Sequence, residues 1–206
     1  MYDKMFEFVS EHLKNSDGEA SENGYLPFRK RSEHIKRVFT WAKRLLNDDC
    51  NVNQEAVLIS AIFHDVGYAL STDTTNHAKN SAAIFEKYLK DHGFANEFID
   101  FVVFLVKNHS NKQLMTAKGT PLELILLMEA DLLDETGALS IVWDCMMEGA
   151  QEIQSFQKTY EHILDFSYQI LNKNPMVTAK GKEFWERKQK LVQEFVTQLS
   201  YDLGLE

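Results

Sequence analysis

The chain has 206 residues, 44% hydrophobic and 26% charged, which suits one soluble domain with a full core. Only three prolines and nine glycines argue against a turn-rich β fold and for long uninterrupted elements. A net charge of −9 repels a phosphate backbone and so excludes sequence-independent binding of long nucleic acid, yet a local cluster of cations or metal can still draw in a small phosphorylated ligand. Cys50 and Cys145 are too few for a disulfide framework and lack CxxC spacing, so both are expected as small apolar fillers in a reducing, cytoplasmic compartment. The acidic, amphipathic start MYDKMFEFVSEHLKNS does not read as a signal sequence. Apolar runs such as Leu124 to Met128 stop far short of the roughly 20 residues that span a bilayer, and no membrane association is expected.

In chain order, the pattern predicts a first helix over 2–14 and a long polar loop over 16–31. Ser32 is expected to cap a helix reaching about residue 47, with Ile35, Val38, Ala42 and Leu45 at helical spacing. Asn53 should cap the next, QEAVLISAIFHDVGYA, over 54–69. A helix over 77–92 is stopped by Gly93, and another covers 96–109. Thr120-Pro121 starts a helix that runs through LELILLMEADLLDE to Gly137. Residues 138–172 and 178–203 read as long amphipathic helices separated near Asn174-Pro175. No linker divides the chain, so residues 1–206 are expected to form a single domain. Trp41, Trp143, Trp185 and the fourteen phenylalanines are expected in the core, and His12, His92 and His162 on the surface.

The ionisable residues fall where they should not. The 54–69 segment is apolar nearly all round, as a buried helix is, yet it carries His64 and Asp65 side by side. Asp131 lies among Leu127, Met128, Leu132 and Leu133, His109 ends an apolar helix, and His34 lies on the apolar face of its own. An unpaired buried carboxylate is very costly. One divalent cation would compensate the set, two aspartates neutralising its charge and two neutral imidazoles completing a mixed N and O donor group. His34, His64, Asp65 and Asp131 are therefore the candidate metal ligands. Two further positions on the ion would remain for water and a phosphate oxygen.

The order His34, then His64-Asp65, then Asp131 resembles the HD superfamily of metal-dependent phosphohydrolases, and HDVG resembles its HDIG subgroup. EADLLDETGAL is similar to the segment around the last aspartate in small bacterial HD hydrolases, among them nucleotide pyrophosphohydrolases. The likeness covers roughly residues 29–140 and implies an all-α, HD-type helical bundle with a divalent ion: manganese, iron, nickel, cobalt or magnesium. Tyr68 replaces the lysine that follows HDxG in HD-GYP cyclic-dinucleotide phosphodiesterases, and His109 is followed by Ser110 rather than a paired histidine; both disfavour that activity.

By the same resemblance, His77 and His109 contact the substrate phosphate, with a second metal or a purely structural role as the alternatives. His77 opens a helix, where anions bind well. Asp134, one helical turn beyond Asp131, is a candidate to orient a metal ligand, to accept a hydrogen bond from a ribose hydroxyl or to act as general base, with a solvated carboxylate near the helix end as the alternative. Arg29 and Arg31 are candidate phosphate clamps, with Lys79 and Lys107 weaker ones. The implied function is hydrolysis of a small phosphorylated metabolite, a nucleotide first of all, by triphosphate pyrophosphohydrolysis or nucleotidase action. The alternative is a metal-containing nucleotide sensor without turnover. Catalysis would rest on Asp65, His77, His109 and Asp134.

Overall fold

The computed structural model, which describes residues 1–17, 30–46, 51–70 and 75–205, is built of helices, though several stop short of the stretches that the pattern predicts. Among the described residues there is no strand. The helices are α1 (Tyr2–Leu13), α2 (Arg31–Leu45), α3 (Gln54–Phe63), α4 (His77–Asp91), α5 (Asn96–Asn108), α6 (Leu122–Leu133), α7 (Ala138–Gly149), α8 (Phe156–Ile163), α9 (Gln169–Leu171) and α10 (Ala179–Leu203). None is long and apolar enough to cross a membrane. The chain forms two compact units, residues 1–131 and 132–206.

In the first unit α3 packs against α2 and α5, and α5 against α4. Asn53 caps α3 as expected, its side-chain oxygen accepting the Ala56 N–H at 3.0 Å. Gly93, at φ 73°, ends α4 in the left-handed conformation that glycine adopts without strain. Ser32 does not cap α2. The helix begins one residue earlier, and Asp17 satisfies its first donors instead, its two carboxylate oxygens accepting the N–H groups of Arg31 (2.6 Å) and Ser32 (3.1 Å). An aromatic group of Phe8, Phe63, Phe85 and Tyr88 fills part of the core, with Phe63 stacked on Phe85 at 4.4 Å.

The second unit packs α7, α8 and α10 around Ile163, Leu171, Trp185 and Val192. Between α8 and α9 lies one turn of π-helix, Leu164–Tyr168. Here His162 departs from the surface role expected of it. Its Nε2 lies 3.4 Å from Asp144 and its Nδ1 3.1 Å from Glu148, while the Ser167 hydroxyl donates to Asp144. Burial raises the Asp144 carboxyl above its usual range against the pull of Ser167 and His162. Cys145 is exposed rather than a core filler, and several phenylalanines, Phe156 and Phe166 among them, face solvent instead of the core. Cys50 lies outside the described residues.

Candidate metal and phosphate centre

The helix expected to carry His64 and Asp65 in its middle stops just before them. α3 ends at Phe63, His64 and Asp65 form a turn, and a 3₁₀ turn, Val66–Ala69, follows. Gly67 explains the break. Its N–H donates to Ser81 Oγ (2.8 Å), and a Cβ at this position would lie 2.2 Å from the His77 carbonyl oxygen. The backbone after Asp65 thus presses onto the first turn of α4, which only a residue without a side chain permits. The turn also fixes the imidazole: His64 Nδ1 donates to the Ala61 carbonyl (2.9 Å), leaving the neutral ring with its lone pair on Nε2. His109, at the C-terminal end of α5, is held in the same way by Val106 O at 2.7 Å.

The four predicted metal ligands converge. His34 and His64 bring their Nε2 atoms to 3.2 Å. An Asp65 Oδ2 atom lies 3.5 Å from His34 Nε2 and 3.6 Å from His64 Nε2; Asp131 Oδ1 lies 3.4 and 3.8 Å from the same nitrogens. Donors about 2.1 Å from one ion stand roughly 3.0 Å apart at right angles and roughly 3.4 Å apart at tetrahedral angles, so the spacing fits a shared cation. Protonation fits as well. Burial pushes the His64 imidazole down to about 4, against the pull of Asp65 and Asp131, so it is neutral near pH 7. Burial opposes ionisation of Asp65, but His64, His109, Arg31 and His34 outweigh it and hold the carboxyl below its usual range. At Asp131 burial is likewise overcome by the Lys112 ammonium and by His34 and His64. Two carboxylates and a neutral imidazole are the forms in which such groups bind metal.

The other Asp65 oxygen faces a second group. Oδ1 lies 3.6 Å from His77 Nε2 and 3.4 Å from His109 Nε2, and those two nitrogens are 3.3 Å apart. His77 opens α4, as the sequence indicated. Arg31 Nη1 donates to Asp65 Oδ2 at 2.9 Å, and its guanidinium lies 4.2 Å above the Tyr68 ring. Tyr68 in turn stacks on His77, centroids 4.7 Å apart and planes 13° from parallel.

Lys112, which sequence reasoning missed, donates to Asp131 Oδ2 at 2.6 Å from the 3₁₀ turn Lys112–Thr116. Lys79 and Lys107 are exposed on α4 and α5. Arg29 lies outside the described residues. Asp134 is buried, but α6 ends at Leu133, so it stands in the turn after the helix and in the second unit, not one turn further along α6. Glu135 beside it has φ 52° and Gly137 φ 70°, so the chain leaves the helical conformation before α7 rather than continuing as helix.

Comparison with solved structures finds the same architecture. An HD-superfamily hydrolase from Bacillus thuringiensis aligns with a TM-score of 0.70 at 20% identity, covering 99% of this chain and 97% of that one. A predicted HD superfamily hydrolase from an uncultured Thermotogales bacterium gives 0.69 at 20% identity, over 98% of this chain and 92% of that one. YpgQ of Bacillus subtilis, in complex with ADP, gives 0.66 at 21% identity, over 97% and 93%. No curated protein sequence matches the chain. The family model of the HD domain matches residues 31–136, just over half of the chain, and spans each of the four converging residues as well as His77 and His109. The chain belongs to the HD domain family of metal-dependent phosphohydrolases.

Proposed function

We propose that this phosphohydrolase acts on a small phosphorylated metabolite, a nucleotide in the first place, with a divalent ion held by His34, His64, Asp65 and Asp131. One observation carries the reading: two imidazole nitrogens 3.2 Å apart, each 3.4–3.8 Å from an oxygen of both Asp65 and Asp131. A divalent ion in that set supplies Lewis acidity toward a phosphate oxygen and lowers the pKa of water. Asp65 and Asp131 supply the opposing charge, and burial keeps His64 neutral as a donor. The charges of the two carboxylates are matched by Arg31 and Lys112, so a bound divalent cation leaves the cluster positive and attractive to a phosphate. Arg31 and Lys112 then stabilise charge on the phosphate oxygens, together with His77 and His109. Asp134, three residues beyond Asp131, is retained as the candidate general base. The YpgQ complex with ADP supports nucleotides as the first ligands to test.

A second reading has its own observation. His77, His109 and Asp65 Oδ1 lie within 3.3–3.6 Å of one another, spacing that suits a second ion that these three residues would hold. Metal analysis of wild-type and His109→Ala protein separates the two. About one ion per chain in both is expected for phosphate contact, whereas a fall from about two to about one assigns the second metal.

The activity test is a panel of nucleoside mono-, di- and triphosphates, with phosphate and pyrophosphate both assayed. Hydrolysis of at least one nucleotide is expected, abolished by chelator and by Asp65→Ala, which also loses the ion. No release from the whole panel with metal content confirmed would overturn the nucleotide reading. Undiminished metal in Asp65→Ala would overturn the ligand set. We further propose that residues 1–206 work as one domain.

A further inference from the structure

Between the metal ligands and the groups proposed as phosphate contacts stands a side chain with neither role. Tyr68 lies in the 3₁₀ turn directly after Asp65, its backbone N–H bonded to the Asp65 carbonyl at 3.2 Å. Its ring carries two planar partners, the Arg31 guanidinium at 4.2 Å and the His77 imidazole at 4.7 Å. Those partners meet again at Asp65. Arg31 grips Oδ2 at 2.9 Å, and His77 faces Oδ1 at 3.6 Å. The four residues thus close a ring: Asp65, Arg31, Tyr68, His77 and back to Asp65.

We propose that Tyr68 is a positioning residue that holds Arg31 and His77 against opposite oxygens of Asp65, and so sets the orientation of that carboxylate between the two halves of the centre. Three physical points support it. The ring's place is set by backbone, because the Gly67 N–H bond to Ser81 Oγ and the absence of room for a Cβ lock the turn onto α4. Guanidinium and imidazole are both planar groups that stack on an aromatic face, which fixes their tilt as well as their distance. Arginine would otherwise lose much of its rotamer freedom with a single hydrogen bond to fix it, and a fixed donor is worth more to a developing charge than a mobile one. A ring already carrying two planar partners is poorly suited to be a stacking platform for a base, which is the other use an aromatic at this place invites.

The inference rests on the reading of Arg31 and His77 as phosphate contacts, and two measurements keep the two apart. The first needs no turnover. A ring stacked nearly parallel at this distance shields the His77 ring protons, so their NMR resonances in metal-free protein, assigned with His77→Gln, should lie upfield. Tyr68→Phe should keep that shift, and Tyr68→Leu should abolish it. The second is kinetic. Tyr68→Leu should lower kcat on the order of tenfold to a hundredfold with metal content unchanged, since small misplacements of contacting groups cost that much. Tyr68→Phe should stay within about twofold of wild type, because the stacked face is retained. Should Tyr68→Leu fold poorly, Tyr68→Met gives the same comparison with an unbranched side chain of greater length. A His77 resonance unmoved by loss of the ring, or full turnover in the folded Leu or Met variant, overturns the proposal. Absence of hydrolysis in the wild type would instead remove the phosphate reading and leave the resonance shift to decide whether Tyr68 positions His77.

Discussion

Asp65 gives one oxygen to each half of the centre, and Lys112 and Arg31 each hold a carboxylate oxygen of the cluster, Lys112 on Asp131 and Arg31 on Asp65. Under the proposed reading, Lys112 acts on the phosphate without being a metal ligand. Lys112→Ala should leave the metal content unchanged and lower kcat/KM on the order of tenfold to a hundredfold, the usual cost of losing one charge-stabilising donor; loss of the ion would show instead that it holds Asp131 in place. The pH dependence follows from His64. Its folded-state value, about 4, lies below that of an unfolded histidine. As pH falls from about 6.5 toward about 4, the unfolded chain binds the proton first, so stability drops by up to roughly 1.4 kcal/mol per pH unit. Asp65 and Asp131, depressed in the folded state, extend the loss to lower pH. Urea midpoints of metal-free protein should fall across that window, and His64→Asn should flatten the slope between about 6.5 and 4. The four converging residues were legible because each is polar against an apolar background. Lys112 was not, because it sits in the polar run HSNKQLMTAKGT, where one more cation gives no contrast.

At the scale of the element, the informative feature is where α3 stops. Periodicity reads helix from 54 to 69 because a 3₁₀ turn of four residues keeps nearly the same apolar spacing as an α-helix, so the break after Phe63 leaves no trace in the pattern. The glycine of HDVG carried the missing information, and only the close approach of α4 reveals it. Gly67→Ala should destabilise by about 1–3 kcal/mol or more, since its Cβ would meet backbone that cannot move aside cheaply. The melting temperature of metal-free protein checks this; an unchanged value would mean the turn shifts freely. The same limit explains Asp134. A carboxylate three residues after Asp131 looks like one more helical turn, but α6 ends at Leu133 and the chain passes through positive φ at Glu135 and Gly137, which apolar spacing does not signal.

At the scale of the whole molecule, the all-helical class was open to view in the scarcity of proline and glycine and in the 3.6-residue spacing, and the described elements from α1 to α10 bear it out. The burial pattern was less legible, because exposed phenylalanines such as Phe156 share the helical spacing of buried ones. If residues 1–206 work as one domain, thermal unfolding followed at tryptophans of both units, Trp41 and Trp185, should give coincident single transitions; separate midpoints would assign two domains. The Asp17 carboxylate has a consequence of another kind. By binding the N–H groups of Arg31 and Ser32 it ties together the two ends of the stretch 18–29. Once such ends are joined, doubling the intervening length costs only about 0.6 kcal/mol of closure entropy. The register of His34 is set from the tie onward and not by the count of residues before it. A peptide tag spliced between 18 and 29 should therefore leave metal content and melting temperature close to those of the parent, provided Asp17 is kept.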